Sequence, residues 1–497
     1  CKIASYMPSL PTVFAFRRST RYVASCFEDN IIDQTNHGCL AEANFKLDGL
    51  PKEYYYLVRK ITIDGVDINQ LNTIFKPEYL RRGGNTIQVD ENGNPTIVDH
   101  RLSRLSELIL IGVIDGPIEF PPLLQKLRIG MVGHNFEYLI LPTSLKKLDM
   151  SHGSIPNEDI TVEGVSKPAW HFVHELEIPE SLDYLKLDHN SIDKLFFQEF
   201  RFPQHSLLRK LDLNNNDIDP YEGVDPDNPN ILDNIVFPEH LRELDLGDNE
   251  IGANGTRFLK LPPLLERLSL DGNEIGTGFA SLEFPSTLKV LSLKSTGIDS
   301  ENVAGLQLPP NLKKLYMFGN SIGIDGFNRL RLPDRLRILD LENAGIRVEN
   351  KEHLLRFPPT LEDLDLSDNY ISSPAYIEFP PTLKSLKLVG VNLQKDQRFR
   401  FPASLKTLDL SDNTPLDTSI DFPQGLTTLK LRACRLSNES LATLLCNGKL
   451  TQLTQLVLST NMIGGLRTTV TFPNTLEILN ISSNKLVLGD VDKLVLP

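Results

Sequence analysis

From about residue 102 onward the apolar positions recur as an anchor leucine followed by leucines three and five places later, and often by an asparagine three places after that. Leu241-Leu244-Leu246-Asn249, Leu265-Leu268-Leu270-Asn273 and Leu361-Leu364-Leu366-Asn369 are near copies. Anchors stand at 105, 124, 145, 182, 208, 241, 265, 288, 312, 336, 361, 383, 405, 426, 453 and 476, and from 241 to 426 successive gaps are 24, 23, 24, 24, 25, 22, 22 and 21. The second and third leucines lie two residues apart, the period of an extended chain, so both enter one face while the residue between them points the other way. Each copy therefore predicts one short strand, and the fixed period predicts one structural repeat per copy.

The asparagine is kept in nine of sixteen copies: 190, 216, 249, 273, 320, 369, 413, 461 and 484. It is expected to turn inward and bond turn amides that would otherwise be buried without partners. Ile192, Ile218, Ile251, Ile275, Ile298, Ile322, Ile346, Ile371 and Ile463 follow two places later as apolar filling. An apolar residue and a proline stand four and three places before the next anchor at thirteen sites from Phe120-Pro121 to Phe472-Pro473. Proline fixes φ and holds its predecessor extended, so the return arms should be extended or made of short 3₁₀ turns. One repeat cannot cover its own apolar side. Stacking at about 4.8 Å per strand produces a parallel sheet backed by one continuous core. The fold class read from the pattern is an α/β solenoid, curved and right-handed, with the sheet on its concave face.

These phrases resemble the leucine-rich repeat family, which implies a binding scaffold rather than a catalyst. Residues 58–497 form the solenoid in this reading, with an atypical repeat beginning at Val58-Arg59-Lys60-Ile61-Thr62-Ile63 and a degenerate one around Leu176-Glu177-Ile178. The stretches 157–177, with Trp170, and 220–229 read as surface loops, and Leu494-Val495-Leu496-Pro497 reads as the opening of a further repeat. Residues 1–57 depart from the phrase. There, Leu10, Pro11, Val13, Phe14, Arg17, Arg18 and Ala24 resemble the latter part of an F-box. That resemblance implies a Skp1-like adaptor docked on Leu10, Val13 and Phe14, and a role as substrate-recognition subunit of a cullin-type ubiquitin ligase in the cytoplasm or nucleus. The alternatives are a helical cap on the first repeat of an intracellular signalling or structural scaffold, or a secreted or surface binding protein, since extracellular leucine-rich families share the proline-marked phrase.

Charge narrows the partners. With 51 Lys and Arg against 65 Asp and Glu the net charge is −14, which argues against general nucleic-acid or anionic-membrane binding. No apolar run approaches the roughly 18 to 20 residues of a membrane span. The five cysteines, 1, 26, 39, 434 and 446, are too scattered for a disulfide framework and fit a reducing compartment. No cofactor and no metal is expected. Asp90-x-Asn92-x-Asn94 has Pro95 where a calcium loop needs glycine and Arg101 where it needs glutamate, and His171 and His174 lack a third ligand.

Candidate chemistry lies at the outward positions. Between the second and third leucines stand Asp212, Asp245, Tyr316, Asp340, Asp365, Lys387, Asp409 and Lys430. Two places later come Asp271, Lys294, Phe318, Glu342 and Arg432. Tyr316 and Phe318 on one strand beside Asp340 and Glu342 on the next have the composition of an interface hot spot flanked by charge. Repeated carboxylates along many strands do not make the single converging pocket that catalysis requires. A protein partner on this face is the reading, with the basic C-terminal positions matching a dipolar surface.

Overall fold

The computed structural model describes residues 60–64, 88–89, 95–96, 106–114, 118–121, 123–132, 139–151, 160–162, 165–167, 177–193, 196, 200–218 and 235–497, the last interrupted at 350–352, 373, 394–399, 415, 417–419 and 447–449. The F-box-like residues Leu10, Val13 and Phe14, the Asp90-Asn92-Asn94 turn, Trp170, His171, His174 and the 220–229 loop lie outside them. The chain divides into two compact units, one of residues 1–218 and 235–245, the other of 219–234 and 246–497.

In the first unit β1 (Lys60–Asp64), β2 (Glu107–Ile114), β3 (Lys126–Val132), β4 (Lys147–Asp149), β5 (Tyr184–Lys186), β6 (Lys210–Asp212) and β7 (Glu243–Asp245) pair in chain order, all parallel. The branched phrase at Val58 thus does supply a strand. The degenerate repeat around Ile178 does not. Lys147–Asp149 pairs directly with Tyr184–Lys186, and the insertion between them contains an antiparallel pair, Ile160–Val162 with Val165–Lys167. Leu176-Glu177-Ile178 is too close to the next anchor to form a turn and a strand of its own.

The second unit continues the pattern with β8 (Arg267–Ser269), β9 (Val290–Ser292), β10 (Lys314–Tyr316), β11 (Ile338–Asp340), β12 (Asp363–Asp365), β13 (Ser385–Lys387), β14 (Thr407–Asp409), β15 (Thr428–Lys430), β16 (Gln455–Val457) and β17 (Ile478–Asn480). All pairs are parallel and keep one register, so Leu268, Leu291, Leu315, Leu339, Leu364, Leu386, Leu408, Leu429, Leu456 and Leu479 form a single row. The row faces inward. Leu291, Leu315, Leu339 and Leu364 are fully buried, as are the anchors Leu265, Leu288, Leu312, Leu336 and Leu361. Each such side chain stabilises the stack by on the order of 2 kcal/mol relative to an exposed one.

Behind the strands the asparagines form the expected ladder. Asn273 is fully buried. Its Oδ1 accepts the amides of Asn249 and Ile251 from the preceding repeat at 3.1 and 2.9 Å, and its Nδ2 donates to the carbonyls of Leu246 and Leu270 at 2.8 and 2.9 Å. Asn216 repeats the set with Asn190, Ile192, Leu187 and Leu213. Where the asparagine is missing, Thr296 and Cys434 supply weaker substitutes, donating to the carbonyls of Leu293 and Leu410. Ala344 and Val391 interrupt the ladder.

The turns share a further regularity. The residue before each ladder position has a left-handed backbone, as at Asn215, Asp248, Gly272, Ser295, Gly319, Asn343, Asp368, Gly390, Asp412 and Thr460. This conformation turns the chain sharply and aims the ladder side chain inward, and it favours Gly, Asn and Asp. At Gly272 a Cβ would also stand 1.9 Å from Asp248 Oδ1. The enrichment of those three residues just ahead of the asparagine was the available signal.

Return arms are short. The proline carbonyl three places before an anchor receives that anchor's amide, as Pro262 does from Leu265 at 3.2 Å and Pro309 from Leu312 at 3.2 Å, while Pro203 receives that of Ser206 at 3.0 Å. The 3₁₀ turns Gly255–Phe258, Gly276–Ser281 and Asn302–Gly305 fit the expectation. The helices Gly323–Arg329 and Asn438–Cys446 depart from it modestly, because a single turn or two still fits between the strand and the proline.

Candidate protein-recognition surface

Residues between the inward leucines stand on the opposite face of each sheet. In the first unit Asp212 and Asp245 are direct neighbours in register, both half-buried. Burial first, then the adjacent Asp245 charge, raises the Asp212 carboxyl above the ordinary range. Tyr184 was absent from the expected face. It occupies an outward column one strand position earlier, which the same two-residue period also predicts. Its ring lies 4.8 Å from Lys210 Nζ and 6.0 Å from Lys147 Nζ. The nearby charges are matched: Lys186 pairs with Asp188 at 2.9 Å and Lys210 with Glu243 at 3.5 Å.

In the second unit one row runs Ser292, Tyr316, Asp340, Asp365, Lys387, Asp409 and Lys430 across successive strands. Asp271 stands at the near end, accepting the Ser292 hydroxyl at 2.9 Å and the Lys294 amide at 2.8 Å. Lys294 Nζ lies 5.3 Å from the centre of the Tyr316 ring. Phe318 and Glu342 follow Tyr316 and Asp340 by two residues, and all four side chains are half-buried. Burial, then the charges of Asp363 and Asp340, raises the Tyr316 hydroxyl.

Two expected contact residues need correction. Asp365 and Asp409 occupy the outward row but are only 7% and 8% exposed. A lysine on the following strand covers each, Lys387 at 2.8 Å and Lys430 at 3.6 Å. Arg432 likewise pairs with Asp412 at 3.0 Å. Much of the basic character expected at the C-terminal positions is therefore neutralised locally, since a strand spacing brings adjacent outward side chains within ion-pair reach.

Asp340, Glu342 and Asp365 place carboxylate oxygens within 4.8 Å of one another. Burial, followed by their neighbours' negative charges, raises the carboxyls of Asp340 and Glu342. Their backbone support is slight: Asp340 Oδ1 accepts the Glu342 amide at 3.1 Å. Hard divalent cations favour six or more oxygens, whereas here the Lys387 ammonium already occupies Asp365. The arrangement suits a cationic side chain better than a metal cage.

A family model described as "Leucine Rich repeat" matches residues 238–259. No curated protein matches the chain in sequence. Among solved structures, YopM from Yersinia enterocolitica WA-314 is similar at 21% identity and a TM-score of 0.41, over 76% of this chain and 74% of that one. TLR13, in a complex with ssRNA13, is 19% identical at a TM-score of 0.45, over 78% of this chain and 60% of that one. The ectodomain of the plant receptor kinase GASSHO1/SCHENGEN3 from Arabidopsis thaliana is 17% identical at 0.37, over 80% and 53%. The chain thus spans less than two thirds of the last two of these chains. With its phrase repeated in sequence, its leucines in one row and its asparagines in a ladder, the chain has the fold of a leucine-rich repeat solenoid.

Proposed function

We propose that this chain is a protein-recognition module whose open sheet face, centred on Tyr316 and Phe318, holds a protein partner. The observation that carries the reading is an aromatic pair left half-buried on a sheet face that no described residue covers, beside Asp340 and Glu342. Aromatic side chains present large contact area at little entropic cost, and hot spots concentrate on them. A random-peptide display selection on the full chain tests it. Selected peptides should bind Tyr316→Ala and Phe318→Ala more than about fivefold more weakly, about 1 kcal/mol or more, while both variants unfold at the parent temperature. Undiminished binding would overturn the reading.

Within that role, the more specific assignment is substrate receptor of a cullin-type ubiquitin ligase. It rests on the F-box-like run Leu10-Pro11-Thr12-Val13-Phe14, and cytoplasmic or nuclear residence goes with it. A Skp1-like adaptor should co-purify with the chain and be lost when Leu10 and Phe14 are made polar. Equal recovery from that variant would remove the ligase assignment and leave the recognition face standing.

A further inference from the structure

The second unit supplies its own example of what a carboxylate in the outward row takes as a partner. Asp365 is covered by the Lys387 ammonium at 2.8 Å, and Asp409 by that of Lys430 at 3.6 Å, in each case from the next strand. Asp340 breaks the alternation. Its register neighbour on the next strand is Asp365 rather than a lysine, and Glu342 adds a third carboxylate beside them. Lys387 is thus shared among three acids, and among the described residues no ion pair reaches Asp340 or Glu342. On the other flank the register neighbour of Asp340 is Tyr316, followed by Phe318, an apolar step against which an aliphatic stem can lie.

We infer that this sheet face, which no described residue covers, takes a basic segment of its protein partner, seating a lysine or arginine side chain between Asp340 and Glu342 with its stem against Phe318. The inference deepens the recognition reading above and rests on it. The surrounding charged groups are Lys294 and Arg267 on the Tyr316 side, Asp363 at the start of the same strand as Asp365, Asp368 in the following turn, and Lys387. Acid therefore exceeds base around the step, and a partner cation restores the one-to-one pairing that Asp409 and Lys430 make three and four strands on. Burial and mutual repulsion keep the two unpaired carboxyls harder to ionise than usual, a cost that a bound cation relieves. An arginine fits best, since its planar fork can bridge two carboxylates at once.

The display selection distinguishes the two levels. It is run on the full chain with a chelator present, and the peptides are measured by fluorescence anisotropy against the parent, Tyr316→Ala, and the Asp340→Asn/Glu342→Gln pair. Peptides that need Tyr316 should carry arginine or lysine. Replacing that residue by citrulline or acetyl-lysine should weaken them at least tenfold, as should the double variant, which should unfold at the parent temperature or above. Peptides that need Tyr316 but lack a basic residue, or that bind the double variant as well as the parent, overturn the basic-partner inference and leave the recognition face in place. If no peptide needs Tyr316, both readings fail. Stoichiometric calcium uptake by the parent in calorimetry, lost in the double variant, would also overturn the inference in favour of a metal ion.

Discussion

Within the same repeats, the asparagine ladder and the open sheet face treat polar groups in opposite ways. Behind the strands every bond of Asn273 is made inside the chain, across a boundary that water does not reach. On the face, the Asp340 and Glu342 carboxylates crowd a third acid and no cation is paired to them among the described residues. A buried polar group left without a partner costs free energy comparable to a lost hydrogen bond. The ladder is therefore architecture, and the face is unfinished in the free chain. Tyr184 in the first unit marks the contrast by another route, since the lysines around it answer the acids beside it.

The comparison breaks most sharply within a single strand. Leu315→Ala should destabilise by about 2–5 kcal/mol through loss of buried surface and a residual cavity, whereas Tyr316→Ala, one residue on, should cost less than about 1 kcal/mol. Urea unfolding measures both, and equal losses would mean that the faces are not distinct. Next, Asn273→Ala should cost about 1–3 kcal/mol and leave selected peptides bound as before. A binding defect there without a stability defect would reverse the assignment of roles. Conversely, Ala344→Asn should extend the ladder toward the amides of Asn320 and Ile322 and stabilise the chain by about 1 kcal/mol, again read by urea unfolding. A destabilised variant would show that this repeat cannot accept the side chain.

The smallest effect concerns pH. Because the Asp340 carboxyl is held above its ordinary value, the folded chain takes up its proton before the unfolded chain does. The penalty of ionising it is present in full at neutral pH. It falls away as pH drops through the raised value toward the ordinary carboxylate range. Asp340→Asn should accordingly be at least as stable as the parent at neutral pH, by less than about 1 kcal/mol for a half-buried carboxylate still open to screening by solvent. That margin should shrink on acidification. A variant less stable at neutral pH would show that the carboxylate is already compensated.

Much of this was legible in the chain, and for a definite reason. The two-residue period puts Leu244, Leu268 and Leu364 on one face whatever their neighbours are, and all three lie in the core. The ladder was legible because a buried turn demands a donor and an acceptor at one place, and asparagine offers both. Tyr184 lies outside the two outward columns that the sequence pattern singles out, because a three-residue strand has an outward residue at each end of its central leucine. The degenerate repeat near Ile178 was overread because a leucine-like spacing without room for a preceding arm cannot make a strand.

What the sequence determined by itself was the period, the inward leucines, the turn asparagines and the row of outward residues, because each follows from local geometry repeated at a fixed interval. What the tertiary structure decided was which charges in that row remain open. Ion pairing depends on what stands directly across from a residue on the neighbouring strand, 21 to 25 positions away along the chain in the regular repeats. Only the register, Asp365 against Lys387 but Asp340 against Asp365, separates a neutralised carboxylate from one that still calls for a cation.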